Sequence, residues 1–218
     1  MKHIKLFEEY MVNEIGEGSM PFPWKRIGNT KVGTWMTTMS NVDRTQMATG
    51  PWESLPPLMY EFKSDNATYS VRISAGFSKH TYINFGGRKP GAPKPQDYNL
   101  IIVVSFDIAG KDDTLITNFG EQFRVLTTVV DIASEAVNEI SKIAWLKLEE
   151  IRIAPKLEDN EEGKPITQTK RGRFYLEYIK KQGHRLPGSW TAIIDSEMFV
   201  LRNGKVSSTT NPEKYIQL

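Results

Sequence analysis

The chain has 218 residues, 39% of them hydrophobic and 25% charged, with 28 Lys and Arg against 26 Asp and Glu and a net charge of +2. That length fits one domain with extensions or two small ones, and the near-neutral total argues against a dedicated nucleic-acid binder. There are no cysteines, which excludes disulfides, thiolate zinc sites and cysteine nucleophiles together, and no apolar run approaches the length of a membrane span.

Residues 1–14 read as a short amphipathic helix, because Ile4, Phe7 and Met11 fall three and four residues apart. Alone, such a helix is too short to be stable in water and needs a partner surface, on its own domain or on another protein. The segment lacks the succession of basic, apolar and small residues that marks a secretory signal. From Gly18 to Pro57, prolines and glycines interrupt the chain repeatedly, yet the stretch carries Phe22, Trp24, Trp35, Trp52 and four methionines. A disordered linker would not hold so many large apolar groups. It reads as an irregular arm that packs on the domain or on another subunit, with strand character at Lys31–Thr38.

A hairpin follows. Leu58, Tyr60 and Phe62 alternate with polar residues, the 64–67 stretch is rich in turn formers, and Tyr69, Val71 and Ile73 alternate on the return. A further strand is expected at Thr81–Phe85, then a Gly/Pro-rich basic loop from Gly86 to Pro95. Asn99–Ile108 is almost entirely apolar and β-branched, the pattern of a central strand covered on both faces. A short strand is expected at Thr114–Thr117.

The longest periodic segment runs from Gly120 to Ile143. Leu126, Val130, Ala133, Val137, Ile140 and Ala144 form an apolar stripe that Val125, Val129 and Ile132 widen. Asn118 with Glu121 three residues on reads as a capping box. A strand at Glu150–Ala154, an acidic loop from Leu157 to Thr169, and a second helix at Lys170–Lys181 ended by Gly183 follow. Trp190–Ile194 and Glu197–Arg202 read as a hairpin, with Asn203-Gly204 as a turn signal. The order predicts an α+β fold: a mixed, mostly antiparallel sheet with two packed helices plus an irregular N-terminal arm. It divides the chain into a helix at 1–17, the arm at 18–57, the domain at 58–205 and a tail or short edge strand at 206–218.

The opening peptide, with its Lys5-Leu-Phe7-Glu8-Glu-Tyr10 run, resembles the N-terminal capsid-targeting peptides of proteins from large tailed bacteriophages. Prohead proteases cut such peptides after Leu/Ile-x-Glu. Ile15-Gly16-Glu17 before Gly18 fits that pattern, as does Leu6-Phe7-Glu8, so the resemblance implies processing between Glu17 and Gly18. The positions Gly120, Phe123, Val125, Thr128 and Val129, then Arg171, Phe174 and Tyr175, are similar to a pattern in uncharacterised phage proteins, with Lys170 in place of a serine. That likeness spans roughly residues 58–200 and implies a shared fold.

The second half also resembles the closing half of the GNAT acetyltransferases in outline. In that family a long strand leads to a cofactor-binding helix, a strand, and a helix carrying a tyrosine acid. The resemblance places Tyr175 at the tyrosine position. The chain differs at the pyrophosphate loop, since Asn118–Arg124 holds one glycine, Gly120, and a carboxylate, Glu121, where phosphates would meet backbone N–H groups.

His3, His80 and His184 lie far apart, and no His or carboxylate cluster has metal-ligand spacing. Asp107, Asp112 and Asp113 read as turn residues, with Mg²⁺ binding through their oxygens the less favoured alternative. No cofactor and no metal are expected. If a small-molecule cleft exists, Arg124, Arg171 and Gly120, at the openings of the two helices, are its first candidates, with Tyr175 and the Gly86–Pro95 loop. Lys79, His80, Arg88, Lys89 and Lys94 form a local basic cluster interleaved with aromatics, a pattern that can contact a partner or single-stranded nucleic acid. The leading reading is a non-enzymatic virion protein, in the virion or the host cytoplasm, whose partners are other phage virion proteins or further copies of itself, and not a membrane. An acyl-CoA-dependent transferase and a nucleic-acid-binding accessory protein are the alternatives.

Overall fold

The computed structural model describes residues 20–28, 57–77, 98–109, 121–142, 146–153, 163–195, 198–205 and 214–218. The alternating segments form strands: β1 (Trp24–Ile27), β2 (Leu58–Lys63), β3 (Thr68–Phe77), β4 (Tyr98–Ile108), β5 (Leu146–Ile153), β6 (Trp190–Ile194), β7 (Phe199–Asn203) and β8 (Tyr215–Gln217). Among the described residues the α-helices are α1 (Gln122–Ser141) and α2 (Lys170–Gln182), with short 3-10 turns at Ile166–Gln168 and Gly183–Arg185. The strands make one eight-stranded sheet in the order β1-β2-β3-β4-β5-β7-β6-β8. Every neighbouring pair is antiparallel except β4 and β5. The expected α+β class with a mostly antiparallel sheet is therefore the observed one.

Two crossovers set the layers. β4 leads through α1 into parallel β5. β5 leads through α2 into β6, which also runs parallel to β5 because β7 is antiparallel to both. Both connections move the same way across the sheet, and right-handed crossovers then place both helices on one face. The contacts agree: Phe123 of α1 meets Phe174 of α2 at 5.0 Å, and Tyr175 of α2 meets Phe106 of β4 at 6.5 Å between ring centroids. Leu58, Tyr60, Val71, Ile73, Ile102, Ile151, Phe199 and Leu201 line the sheet side of this core. From α1, Val125, Ile132, Ala136 and Ile140 enter it, each fully buried. Burial of such side chains stabilises by about 1.5–3 kcal/mol apiece.

Several boundaries differ from the sequence expectation for physical reasons. α1 begins at Gln122, with Glu121 at the N-cap making no side-chain cap bond, and Asn118, the other half of the expected capping box, lies outside the described residues. β5 begins at Leu146 rather than Glu150, pairing Tyr98 with Leu146. A bulge at Glu149, between the pairs Leu100–Leu148 and Ile101–Glu150, breaks the period-two pattern and hides the first half of the strand. The 64–67 turn is closed by the Ser64 hydroxyl, which accepts from the N–H groups of Asn66 and Ala67 at 3.2 and 3.0 Å. Asn203-Gly204 is a turn as expected and ends β7, with Gly204 at φ +89° and its N–H donating to Ser189 O at 2.7 Å; the turn between β6 and β7 is closed by Asp195 N–H donating to Met198 O at 3.0 Å. Gly183 caps α2, but with φ −59° it continues into a 3-10 turn rather than reversing the chain. The sheet also reaches past the expected domain limits of 58 and 205, through β1 and β8. The strands expected at Lys31–Thr38, Thr81–Phe85 and Thr114–Thr117 and the helix at 1–14 lie outside the described residues.

At the start of α2 the chain folds back tightly. Thr169 is the N-cap: its hydroxyl accepts from Gly172 N–H at 2.9 Å and donates to Ile166 O at 2.8 Å. A Cβ on Gly172 would lie 1.8 Å from that same Ile166 oxygen, so only glycine fits this approach of helix to 3-10 turn.

Candidate functional site

The most elaborated polar structure joins the segment Met20–Ile27 to α1. Antiparallel pairing with β2 sets its alternation: Trp24 and Arg26 face the helix, and Lys25 and Ile27 face away. Along α1, residues 124, 128, 131, 135 and 139 recur at three and four and form one ridge. The two periods meet in register. Arg124 Nε donates to Met20 O at 2.9 Å, and its guanidinium lies 3.9 Å from the centre of the Phe22 ring. Phe22 N–H donates to Thr128 Oγ1 at 2.9 Å. Trp24 Nε1 donates to Asp131 Oδ2 at 2.8 Å. Arg26 Nη2 donates to Glu139 Oε2 at 3.0 Å and lies 3.9 Å from Glu135 Oε1.

Aromatic packing completes this clamp. Phe22 stacks on Phe62 at 5.9 Å, and Trp24 meets Tyr60 edge-on at 5.6 Å. Arg26 sits over the Tyr60 ring, 5.3 Å from its centroid. Burial pushes the Tyr60 hydroxyl above its ordinary pKa even against the pull of the Arg26 charge. Among the described residues, Tyr60 Oη and Arg26 Nε make no hydrogen bond of standard geometry, so the charge acts through space. Cation–π contacts and charge-assisted hydrogen bonds in this half-buried setting are each worth about 0.5–3 kcal/mol. The exposed Lys25–Glu61 pair at 2.9 Å adds little.

The sequence-derived candidates fare unevenly. Arg124 is held by the clamp, on Met20 O and Phe22. Tyr175 is 7% exposed, within the core beside Phe106 and Phe174. Arg171 lies in the first turn of α2, but its side chain is outside the described residues, as are Gly120, Glu17, Gly18 and the cluster Lys79, His80, Arg88, Lys89 and Lys94. The structure therefore brings Arg124 to partners within the chain and places Tyr175 in the core. Among the described residues, no three His, Cys, Asp or Glu side chains are grouped to hold a metal, and no helix is long and apolar enough to cross a membrane.

The clamp residues Asp131, Glu135 and Glu139 were not singled out from the sequence, and Thr128 stood out only as part of the phage-like pattern. A signal existed: they form a polar ridge at helical period beside the apolar stripe, matched to the alternation Phe22, Trp24, Arg26. Comparison of the chain with protein-family models, curated proteins and solved structures finds no match.

Proposed function

We propose that the chain is a phage-encoded, virion-associated structural or accessory protein that works through protein contacts. The observation that carries this reading is the clamp. It fixes Met20–Ile27, the segment that follows the targeting-like peptide, against α1 and β2. The side chains that catalysis would recruit have other partners: Arg124 holds the arm and Tyr175 packs in the core. Mass spectrometry of purified virions tests the idea. The protein is expected in the particle, with an N-terminus at Gly18. Absence from the particle, together with a monomeric purified protein that binds no virion component, sinks it.

One observation favours a second reading, an acyltransferase of acetyltransferase-like outline. Among the described residues, the one parallel neighbour pair, β4 and β5, is joined by the long helix α1 and carries the bulge at Glu149. Acetyl-CoA added to the purified protein decides this. A binder raises the thermal midpoint by mass action, and Tyr175→Phe then keeps binding and loses turnover. An unchanged midpoint removes the reading.

A further inference from the structure

The face of the sheet opposite the helices carries a second polar cluster, remote from the clamp. Glu150 of β5 is the one charged residue that is buried among the described residues, at 5% exposure. Arg202 of β7 stands directly opposite it, and Arg152 lies two residues along the same strand face. Arg152 donates to Glu150 Oε2 through Nε at 3.1 Å and Nη2 at 2.9 Å. Arg202 donates to Glu150 Oε1 through Nε at 3.1 Å and through Nη2. Each guanidinium thus turns one edge inward and leaves its Nη1 N–H groups outside these bonds.

Burying one carboxylate requires compensation, and a single forked arginine provides it. A second arginine is more than neutrality needs, and it leaves the trio with one positive charge in excess. The two cations sit on the two oxygens of one carboxylate, so they are no further apart than that group and two hydrogen bonds. Their side chains remain 35% and 42% exposed. The buried anion therefore acts as a rigid bracket that aims two solvent-accessible guanidiniums from neighbouring strands. Donors from two separate groups suit an anion with three or four acceptor oxygens better than a planar carboxylate.

We propose that Arg152 and Arg202, bracketed by Glu150, form a binding site for a phosphate group, either free or as an ester or diphosphate. Inorganic phosphate and pyrophosphate are titrated into the full chain at constant ionic strength, with acetate as the carboxylate arm. The readouts are the thermal midpoint and the Nε resonances of the arginines. Phosphate or pyrophosphate is expected to raise the midpoint and to shift the resonances of Arg152 and Arg202; whichever of the two acts more strongly tells free phosphate from a diphosphate. Arg202→Lys and Arg152→Lys, which keep the charge but lose the fork, weaken binding by at least about tenfold. Lys63→Gln, on the same sheet face in β2, leaves it within about twofold, because a distant exposed charge is screened. No response to either anion, an equal response to acetate, or an equal loss in Lys63→Gln overturns the proposal. Where an arginine variant fails to fold, the wild-type resonances decide: shifts confined to Arg152 and Arg202 uphold the site, and shifts absent or spread over all arginines refute it.

Discussion

Thr128→Val isolates the centre of the clamp. The Thr128 side chain is fully buried and β-branched, so valine replaces it with no change of shape and little change in helix propensity. What disappears is the acceptor for Phe22 N–H, 2.9 Å away, in a residue that is itself only 4% exposed. A buried donor left unpaired costs about 1–3 kcal/mol. The hydroxyl also bonds back to Arg124 O at 2.8 Å, an arrangement that contributes little to a helix, so its loss gives no large offset. The cost falls on the arm, because α1 keeps its own ladder and its apolar face. Native-state hydrogen exchange is the assay. The amides of Phe22 and β1 should exchange about 5- to 150-fold faster, the ratio that corresponds to 1–3 kcal/mol, with those of Val129–Ile140 unchanged. Equal acceleration in both regions would mean that the arm and α1 open as one unit. No acceleration at all would mean that Thr128 does not hold the arm. Either result refutes the reasoning.

Two further outcomes follow from the other tight places in the fold. Gly172→Ala would ordinarily stabilise a helix by about 1 kcal/mol, but here the new methyl meets Ile166 O at 1.8 Å and displaces the Thr169 cap; urea denaturation should show a net loss of about 1–3 kcal/mol, and a gain would show that the turn yields easily. Burial pulls the Glu150 carboxyl upward, yet the hydrogen bonds and charges of Arg202 and Arg152 outweigh it and hold its pKa below the usual carboxylate range. Its stabilising contribution is therefore complete above the unfolded-state pKa of about 4.3 and is lost as pH falls through the lower folded-state value. The acid limb of stability against pH should flatten in Glu150→Gln; an unchanged limb would assign acid sensitivity to other carboxylates.

How far the sequence discloses the fold depends on whether periodicity survives. It survives in Leu58–Lys63 and along the apolar stripe of α1, while Asn99–Ile108 is disclosed by its unbroken apolar run, and those elements appear where expected. It fails at β5, where Glu149 adds a residue to one strand and a carboxylate, Glu150, takes a buried position. It also misses β1 as a strand, because Trp24-Lys-Arg-Ile27 is four residues long beside two prolines, and its pairing with β2 is fixed by residues more than thirty positions away. The candidate site was legible only in part. Arg124 stood out as a helix-opening cation, but its partners, the Met20 carbonyl and the Phe22 ring, are about a hundred residues away in sequence and become neighbours only when β1 joins the sheet. Tyr175 stood out by position in a motif, and packing against Phe106 places it in the core. Glu150, Arg152 and Arg202 required the β5–β7 register before they could be seen as one group.

The clamp also separates two accounts of the first seventeen residues. Among the described residues its earliest contact is the carbonyl of Met20, so a chain that begins at Gly18 keeps every described clamp partner. If the peptide is a detachable targeting element, its removal should leave the stability of the domain within about 0.5 kcal/mol, the usual range for changes that remove no buried contact. If instead the amphipathic helix docks on its own domain, deletion uncovers the apolar surface that received Ile4, Phe7 and Met11. The loss would then exceed about 2 kcal/mol, since even partial burial of such side chains contributes that much together. Urea denaturation of the full chain and of the 18–218 chain distinguishes the accounts, and virion incorporation of the same two chains completes the test. Equal stability with lost incorporation supports targeting. A large loss of stability places the helix in the fold and removes the principal argument for a virion address.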